Sequence, residues 1–265
     1  MLCVVSPAKR LDEKPKPLPE DVAVTTPDFL AETWKLVQIA RGLSVQDLRD
    51  LMDLSEPLAR LNRDRFAAFR RTPTAPLPAV QCFAGDTYAG LEAATMGADA
   101  RRWADGHLRI LSGLYGLLRP WDAIQPHRLE MGTRLANPRG PDLYAFWGDR
   151  VAKALVKQAA AMGTDVLVNC ASVEYFTVAQ RKALKLRVIT PVFLEERGGE
   201  AKVVSFWAKK ARGAMARYCC DHHLTDPADL RGFSTGGYAF RADLSDGDRM
   251  VFTRAEPTEA AEDAA

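Results

Sequence analysis

The 265-residue chain predicts an α+β fold: a single compact domain spanning residues 1–256, in which a mixed β-sheet is surrounded by helices, followed by an acidic, Ala-rich and disordered tail at 257–265. Three observations carry that expectation. Strand-like and helix-like patterns alternate only partly through the first two thirds, so a regular βαβ winding is not indicated. The last third reads as two antiparallel hairpins. Neither a dinucleotide-binding GxGxxG nor a phosphate-loop GxxxxGK[ST] occurs, and HExxH is also missing. That lowers the case for nicotinamide enzymes and Walker-type nucleotidases.

Taken in order, LCVVS (2–6) is the first strand, closed by Pro7 and followed by Ala8, Lys9 and Arg10. Residues 11–27, rich in proline and charge, form a surface loop. Helices follow over 28–42, ended by Gly42, and over 44–54, with Ser44 as cap and Asp47 three residues later in a near capping box. A third helix over 55–71 is capped by Ser55 and is expected to bury Leu58, Leu61, Phe66 and Phe69. Prolines 73, 76 and 78 break the run, and AVQCFA (79–84) reads as a short strand. Helices are expected from Tyr88 to Met96, over 99–112 with Trp103, Leu108 and Leu111 as apolar positions, and over 142–162. VLVNC (166–170) is a buried strand whose carboxyl end feeds a functional loop. Residues 185–196 and 202–208 flank Gly198-Gly199 as a hairpin. A helix over 209–224, a short one over 226–233 and a closing hairpin around Asp246-Gly247-Asp248 complete the domain.

Composition describes a soluble cytoplasmic protein, 47% hydrophobic and 26% charged. No apolar run approaches the ~18–20 residues of a membrane span. Five cysteines without regular spacing argue against a disulfide scaffold. The formal charge of +2 conceals an asymmetry: residues 243–265 hold seven acids and two arginines, leaving 34 bases and 27 acids in the preceding body. A basic body favours a polyanionic or phosphorylated partner.

Ser112-Gly113-Leu114-Tyr115-Gly116, followed by Leu117, Leu118, Arg119 and Pro120, is the most informative stretch. Two glycines three apart permit a tight hairpin that turns backbone N–H groups outward, with Arg109 or Arg119 beside a phosphate. This resembles a helix-hairpin-helix, which grips DNA backbone without reading bases; the alternative is a glycine-rich corner of a compact fold. Lys209, Lys210 and Arg212 cluster in an early helical turn, where basic groups oppose the dipole unless an anion is near, against the plain alternative of a solvated face. Lys9 stands at the end of the first strand, and Asn169, Ser172, Glu174 and Tyr175 follow the buried strand. Glu174 is the acid placed to act as a base there. Cys219-Cys220 and His222-His223 offer two pairs at helical spacing, short of a closed zinc set, so no metal and no cofactor is expected.

Several blocks are similar to the YaaA family of peroxide-stress-resistance proteins, also called UPF0246 or DUF328. They are VVSPAKRLD (4–12), FAGDTYAGL (83–91), residues 107–149 (HLRILSGLYGLLRPWDAIQPHRLEMGTRLANPRGPDLYAFWGD), VLVNCASVEYF (166–176), ITPVFLEE (189–196), SFWAKKARGAMARY (205–218) and GFSTGGYAF (232–240). The resemblance implies a single α+β domain with a helix-hairpin-helix-like element and a positively charged cleft. It implies binding of double-stranded or branched DNA in the hydrogen peroxide response, limiting iron-driven damage. On this chain the hairpin would run from Leu111 to Leu118, including Gly113, Tyr115 and Gly116, flanked by Arg109 and Arg119. The cleft would draw on Lys9, Arg128, Arg134, Lys209, Lys210 and Arg212. A monomer and no membrane partner are expected. A second class of function stays open: an enzyme acting on a phosphorylated or nucleotide-like small molecule, with Lys9, Asn169, Ser172 and Glu174 as its candidates.

Overall fold

The sheet is built outward from β1 (Leu2–Val5), whose four side chains are wholly buried, as befits a strand covered on both faces. The computed structural model describes residues 1–72, 77–198 and 200–255, so the tail expected at 257–265 lies outside them. Helices α1 (Leu30–Arg41), α2 (Val45–Met52) and α3 (Glu56–Ala68) follow the surface loop as expected. At α2 the capping box is complete: the Asp47 amide donates to Ser44 Oγ at 3.1 Å and the Ser44 amide to Asp47 Oδ2 at 2.8 Å.

On α3 the expected rotation is wrong. Phe66 and Phe69 are buried, but Leu58 and Leu61 are 42% and 43% exposed, and the buried stripe runs through Ala59, Asn62 and Phe66. Asn62 fixes that rotation. Its amide donates to Arg128 O and accepts from Arg128 N, both at 2.9 Å, satisfying two backbone groups at once.

The predicted strand at 79–84 is instead a two-residue strand β2 (Leu77–Pro78) and one helical turn α4 (Ala79–Cys82). After α5 (Asp86–Leu91) comes α6 (Ala98–His107), which stops where β3 (Leu108–Ser112) begins. The predicted helix over 99–112 therefore splits, and β3 turns back through Gly113–Tyr115 into β4 (Gly116–Leu118), with Ser112 opposite Gly116. This corrects the helix-hairpin-helix expectation: the glycine-rich stretch is a β-hairpin turn inside the sheet. β5 (Ala123–Ile124) pairs with β2.

The helix predicted over 142–162 is also two, α7 (Leu143–Trp147) and α8 (Arg150–Ala161), broken at Gly148 with φ +51°. Then come β6 (Val166–Cys170), the single turn α9 (Val173–Phe176), β7 (Arg187–Arg197), β8 (Glu200–Lys202), α10 (Ser205–Asp221), β9 (Ala239–Phe240) and β10 (Arg249–Ala255). α10 begins at Ser205, so the segment expected to be a strand over 202–208 is largely its first turn.

The main sheet runs β4-β3-β1-β6-β7-β10-β9, with β8 pairing on β7. Its centre, β3 through β10, is parallel, and its flanks are antiparallel. The two late hairpins exist, but β10 lies parallel to β7, from Arg249 opposite Thr190 to Ala255 opposite Glu196. The result is a single α+β domain with a mixed sheet surrounded by helices. From β1 the chain passes to β3 on one side and later to β6 on the other. That reversal leaves a crevice beyond the carboxyl ends of β1 and β6.

Candidate functional site

The crevice is walled by the two segments that leave those strands, Ser6–Arg10 and Ser172–Tyr175. Ser6 Oγ accepts from the Ser172 amide at 2.9 Å and donates to Ser172 Oγ at 3.4 Å, tying the two strand ends together. Ser172 in turn caps α9, its hydroxyl accepting from the Tyr175 amide. Asn169 is buried and turns inward, its Oδ1 accepting from the Ala171 amide at 3.0 Å, so it shapes the loop rather than lining the cleft.

The opposite wall comes from α5 and α10, and glycine sets how close they lie. A Cβ on Gly213 would sit 1.8 Å from Thr87 O, and one on Gly90 would sit 1.9 Å from Lys210 O. With neither present, α10 presses onto α5 and carries Lys209 and Arg212 to the cleft, where Asp86 and Thr87 also face in. The space enclosed is ≈ 510 Å³, within the usual range of small-molecule sites.

Four bases (Lys9, Arg10, Lys209, Arg212) line it against two acids (Asp86, Glu174). Lys209 Nζ is 4.0 Å from Asp86 Oδ2, a loose pair. Lys9 Nζ is 2.9 Å from Glu130 Oε2, and Glu130 also takes Arg128 Nε at 3.2 Å. Glu174 Oε1 accepts from the Gly132 amide at 2.9 Å. Lys9 and Glu174 therefore share the cleft, while each holds a different part of the 128–134 loop.

Arg212 differs from the rest. Its Nε donates to Ala208 O at 3.1 Å, and among the described residues no carboxylate pairs with it. Burial pulls its guanidinium below the ordinary arginine value. A largely buried cation without a counter-charge is costly unless an anion joins it. Tyr175 walls the site with a phenol that burial pushes well up, so it stays neutral; Tyr88, likewise kept neutral by burial, lies outside the lining and donates to Ser6 O at 3.1 Å.

The remaining predicted contacts do not assemble here. Arg109 is 5% exposed and gives its Nη1 to Asp105 O and Leu108 O; burial lowers its guanidinium to about 10. Gly113, Tyr115 and Gly116 are buried. Gly113 packs on Leu129 O and Gly116, at φ +72°, on the Trp147 ring, so this turn shows no backbone amides to a duplex. Arg119 is taken up by Asp122 and Asp28. Arg134 is exposed beside a separate shallow depression with Leu43 and Leu51, and Lys210 faces a different groove with Trp207. The polar cleft residues missing from the sequence prediction are Ser6, Arg10, Asp86 and Thr87. The unusual FAGDTYAGL block was the available signal for the last two. Among the described residues no group of His, Cys, Asp and Glu is placed to hold a metal, and no helix is long and apolar enough to cross a membrane.

A family model described as "Peroxide stress protein YaaA" matches residues 1–244. A UPF0246 protein of Cereibacter sphaeroides (strain KD131) is 63% identical over 256 residues, covering 96% of this chain and all of the relative. A UPF0246 protein of Ruegeria pomeroyi is 57% identical over 256 residues, covering 96% and 98%. One from Roseobacter denitrificans is 56% identical over 261 residues, covering 97% and 99%.

Proposed function

The chain belongs to the YaaA/UPF0246 family of peroxide stress proteins, and on that premise we propose that it acts in the peroxide response by binding a phosphorylated, nucleotide-like small molecule in the cleft between the ends of β1 and β6. The observation that carries this reading is Arg212, a largely buried guanidinium with no carboxylate partner among the described residues, lining a ≈ 510 Å³ cleft with an excess of basic groups. A phosphate seated against Arg212 and Lys209 compensates both. The paired hydroxyls of Ser6 and Ser172 offer neutral hydrogen bonds at the strand ends. If chemistry follows binding, Lys9 and Glu174 are the groups that exchange partners, since each is engaged by the 128–134 loop.

A second reading keeps DNA as the ligand, with the same cleft taking a backbone phosphate. It is favoured by Lys9, Arg10 and Lys209 standing exposed round the mouth and by the excess of bases over acids before residue 243.

One experiment separates the two. Thermal shifts are measured with adenosine monophosphate and with inorganic pyrophosphate, and binding is titrated with a fluorescent duplex and a four-way junction over a range of salt. The small-molecule reading expects a mononucleotide shift that R212A abolishes and K210A leaves intact. The DNA reading expects duplex or junction binding that falls steeply with salt and is lost in a K9A/R10A/K209A variant. Absence of a shift with both small probes, or a shift that R212A does not change, would reject the first reading. Absence of duplex and junction binding at low salt would reject the second.

A further inference from the structure

Across α10 from the cleft lies a separate groove of ≈ 460 Å³, and the two share no lining residue. Its walls are Trp207, Ala211 and Ala214 of α10, and Tyr238 with the turn Thr235–Gly237. At one end sits Arg254. Its side chain is 9% exposed, with the guanidinium carbon 4.3 Å from the Trp207 ring centre and 4.8 Å from that of Tyr238. Nε donates to Glu195 Oε2 at 2.6 Å and Nη1 to Gly236 O at 3.0 Å. Nη2 is buried and, among the described residues, has no hydrogen-bond partner.

Tyr238 O–H donates to the other oxygen of Glu195, so both carboxylate oxygens are occupied. Burying such a network is unfavourable relative to apolar packing and calls for a reason beyond stability. A buried donor left unpaired calls for one more strongly.

We propose that this groove is a second binding site, for a flat and largely apolar molecule bearing a single carboxylate. The apolar walls take the body, and the aromatic faces favour a planar one. The carboxylate lies at the Arg254 end, drawn by Lys210, and reaches the buried, unpaired Nη2 only as the guanidinium turns out from against the Trp207 and Tyr238 rings. The Lys210 ammonium stands 5.9 Å from the Trp207 ring and, among the described residues, pairs with no carboxylate. Glu195 already neutralises Arg254, so Lys210 supplies one unbalanced positive charge at that end. Glu92 stands exposed on the rim and opposes a polyanion, which separates this ligand from the phosphorylated one of the cleft. Gly236 and Gly237, at φ +72° and +81°, form the lip with no side chains over the entrance.

The test is calorimetric titration of the full chain with naphthoate and with the uncharged naphthamide. Wild type is expected to bind naphthoate about tenfold more tightly, the size of one charge-assisted contact. K210E, at a half-buried side chain whose ammonium meets no carboxylate among the described residues, should remove that preference. W207A should weaken both probes, and R212A should change neither. The proposal is overturned if naphthoate fails to bind or binds no better than naphthamide, if K210E keeps the preference, or if R212A abolishes it and so assigns the probe to the cleft. Circular dichroism establishes that each variant is folded.

Discussion

His127 shows how a single buried side chain imposes a pH dependence. It is 6% exposed, its Nδ1 lies 2.8 Å from Gln125 O, and Phe83 and Tyr115 meet its ring edge-on. Burial lowers its pKa to about 4. The unfolded chain takes up a proton near the ordinary value of about 6.5 and the folded chain does so only near 4. This stability is therefore present above pH ~6.5 and is lost as the pH falls through that window, by about 3 kcal/mol in all. Urea unfolding across this range should show the slope in wild type and a flatter curve in His127→Gln, whose amide still donates to Gln125 O. An unchanged slope would locate the titration elsewhere. Residue identity was legible in the sequence here, but environment was not. Arg109 and Arg212 read alike as basic side chains beside informative motifs. One is held by two carbonyls behind a strand, while the other lines a cleft with no counter-charge.

At the scale of elements, caps and stripes make separable predictions. Ser44→Ala removes the side-chain half of the capping box, the Oγ that accepts from the Asp47 amide, and should cost about 1 kcal/mol. Leu61→Glu on the exposed flank of α3 should change stability by less than about 0.5 kcal/mol, whereas Phe66→Ala should cost about 3–5 kcal/mol. Chemical denaturation checks all three, and a large loss in Leu61→Glu would contradict the observed rotation of α3. The α5–α10 crossing is stiffer. Gly213→Ala drives a Cβ into the Thr87 carbonyl, backbone against backbone, and should cost about 3 kcal/mol or more. Because α10 carries Lys209 and Arg212, the same substitution should weaken ligand binding in the cleft even where the protein stays folded. Helix patterns located α1 with its Gly42 end, α2 with its Ser44 cap and the body of α10, but not the start of α10 at Ser205. α6 passes straight into β3 with no proline or glycine between them, and apolar residues suit either period over so short a run. The strand expected at 79–84 became a turn because its amides bond to Pro120 O and Asp122 O, partners far away in sequence.

For the whole molecule, the decisive feature is the order of the sheet. Strands β1 and β6 are neighbours although 160 residues separate Val5 from Asp165, where the approach to β6 begins. Their adjacency brings Ser6–Arg10 to Ser172–Tyr175. A ligand binding only the folded cleft stabilises the entire domain: at a hundredfold excess over Kd the gain is about 2.7 kcal/mol. For a chain this size that raises Tm by roughly 5–10 °C. Adenosine monophosphate should produce such a rise in wild type and none in Arg212→Ala, measured by calorimetry.

The sequence by itself determined the family, the α+β class, the basic body and the identity of most groups that meet in the cleft, because these depend on local pattern and on long unusual blocks. Only the tertiary structure decided which of those groups stand together. It buried the glycine-rich turn in the sheet, tied Arg119 and Lys9 to nearby acids, and set Lys209 and Arg212 against the ends of β1 and β6. The physical reason is that counter-charge, burial and close helix approach are properties of residues distant along the chain, and no local period encodes which distant partner each side chain will meet.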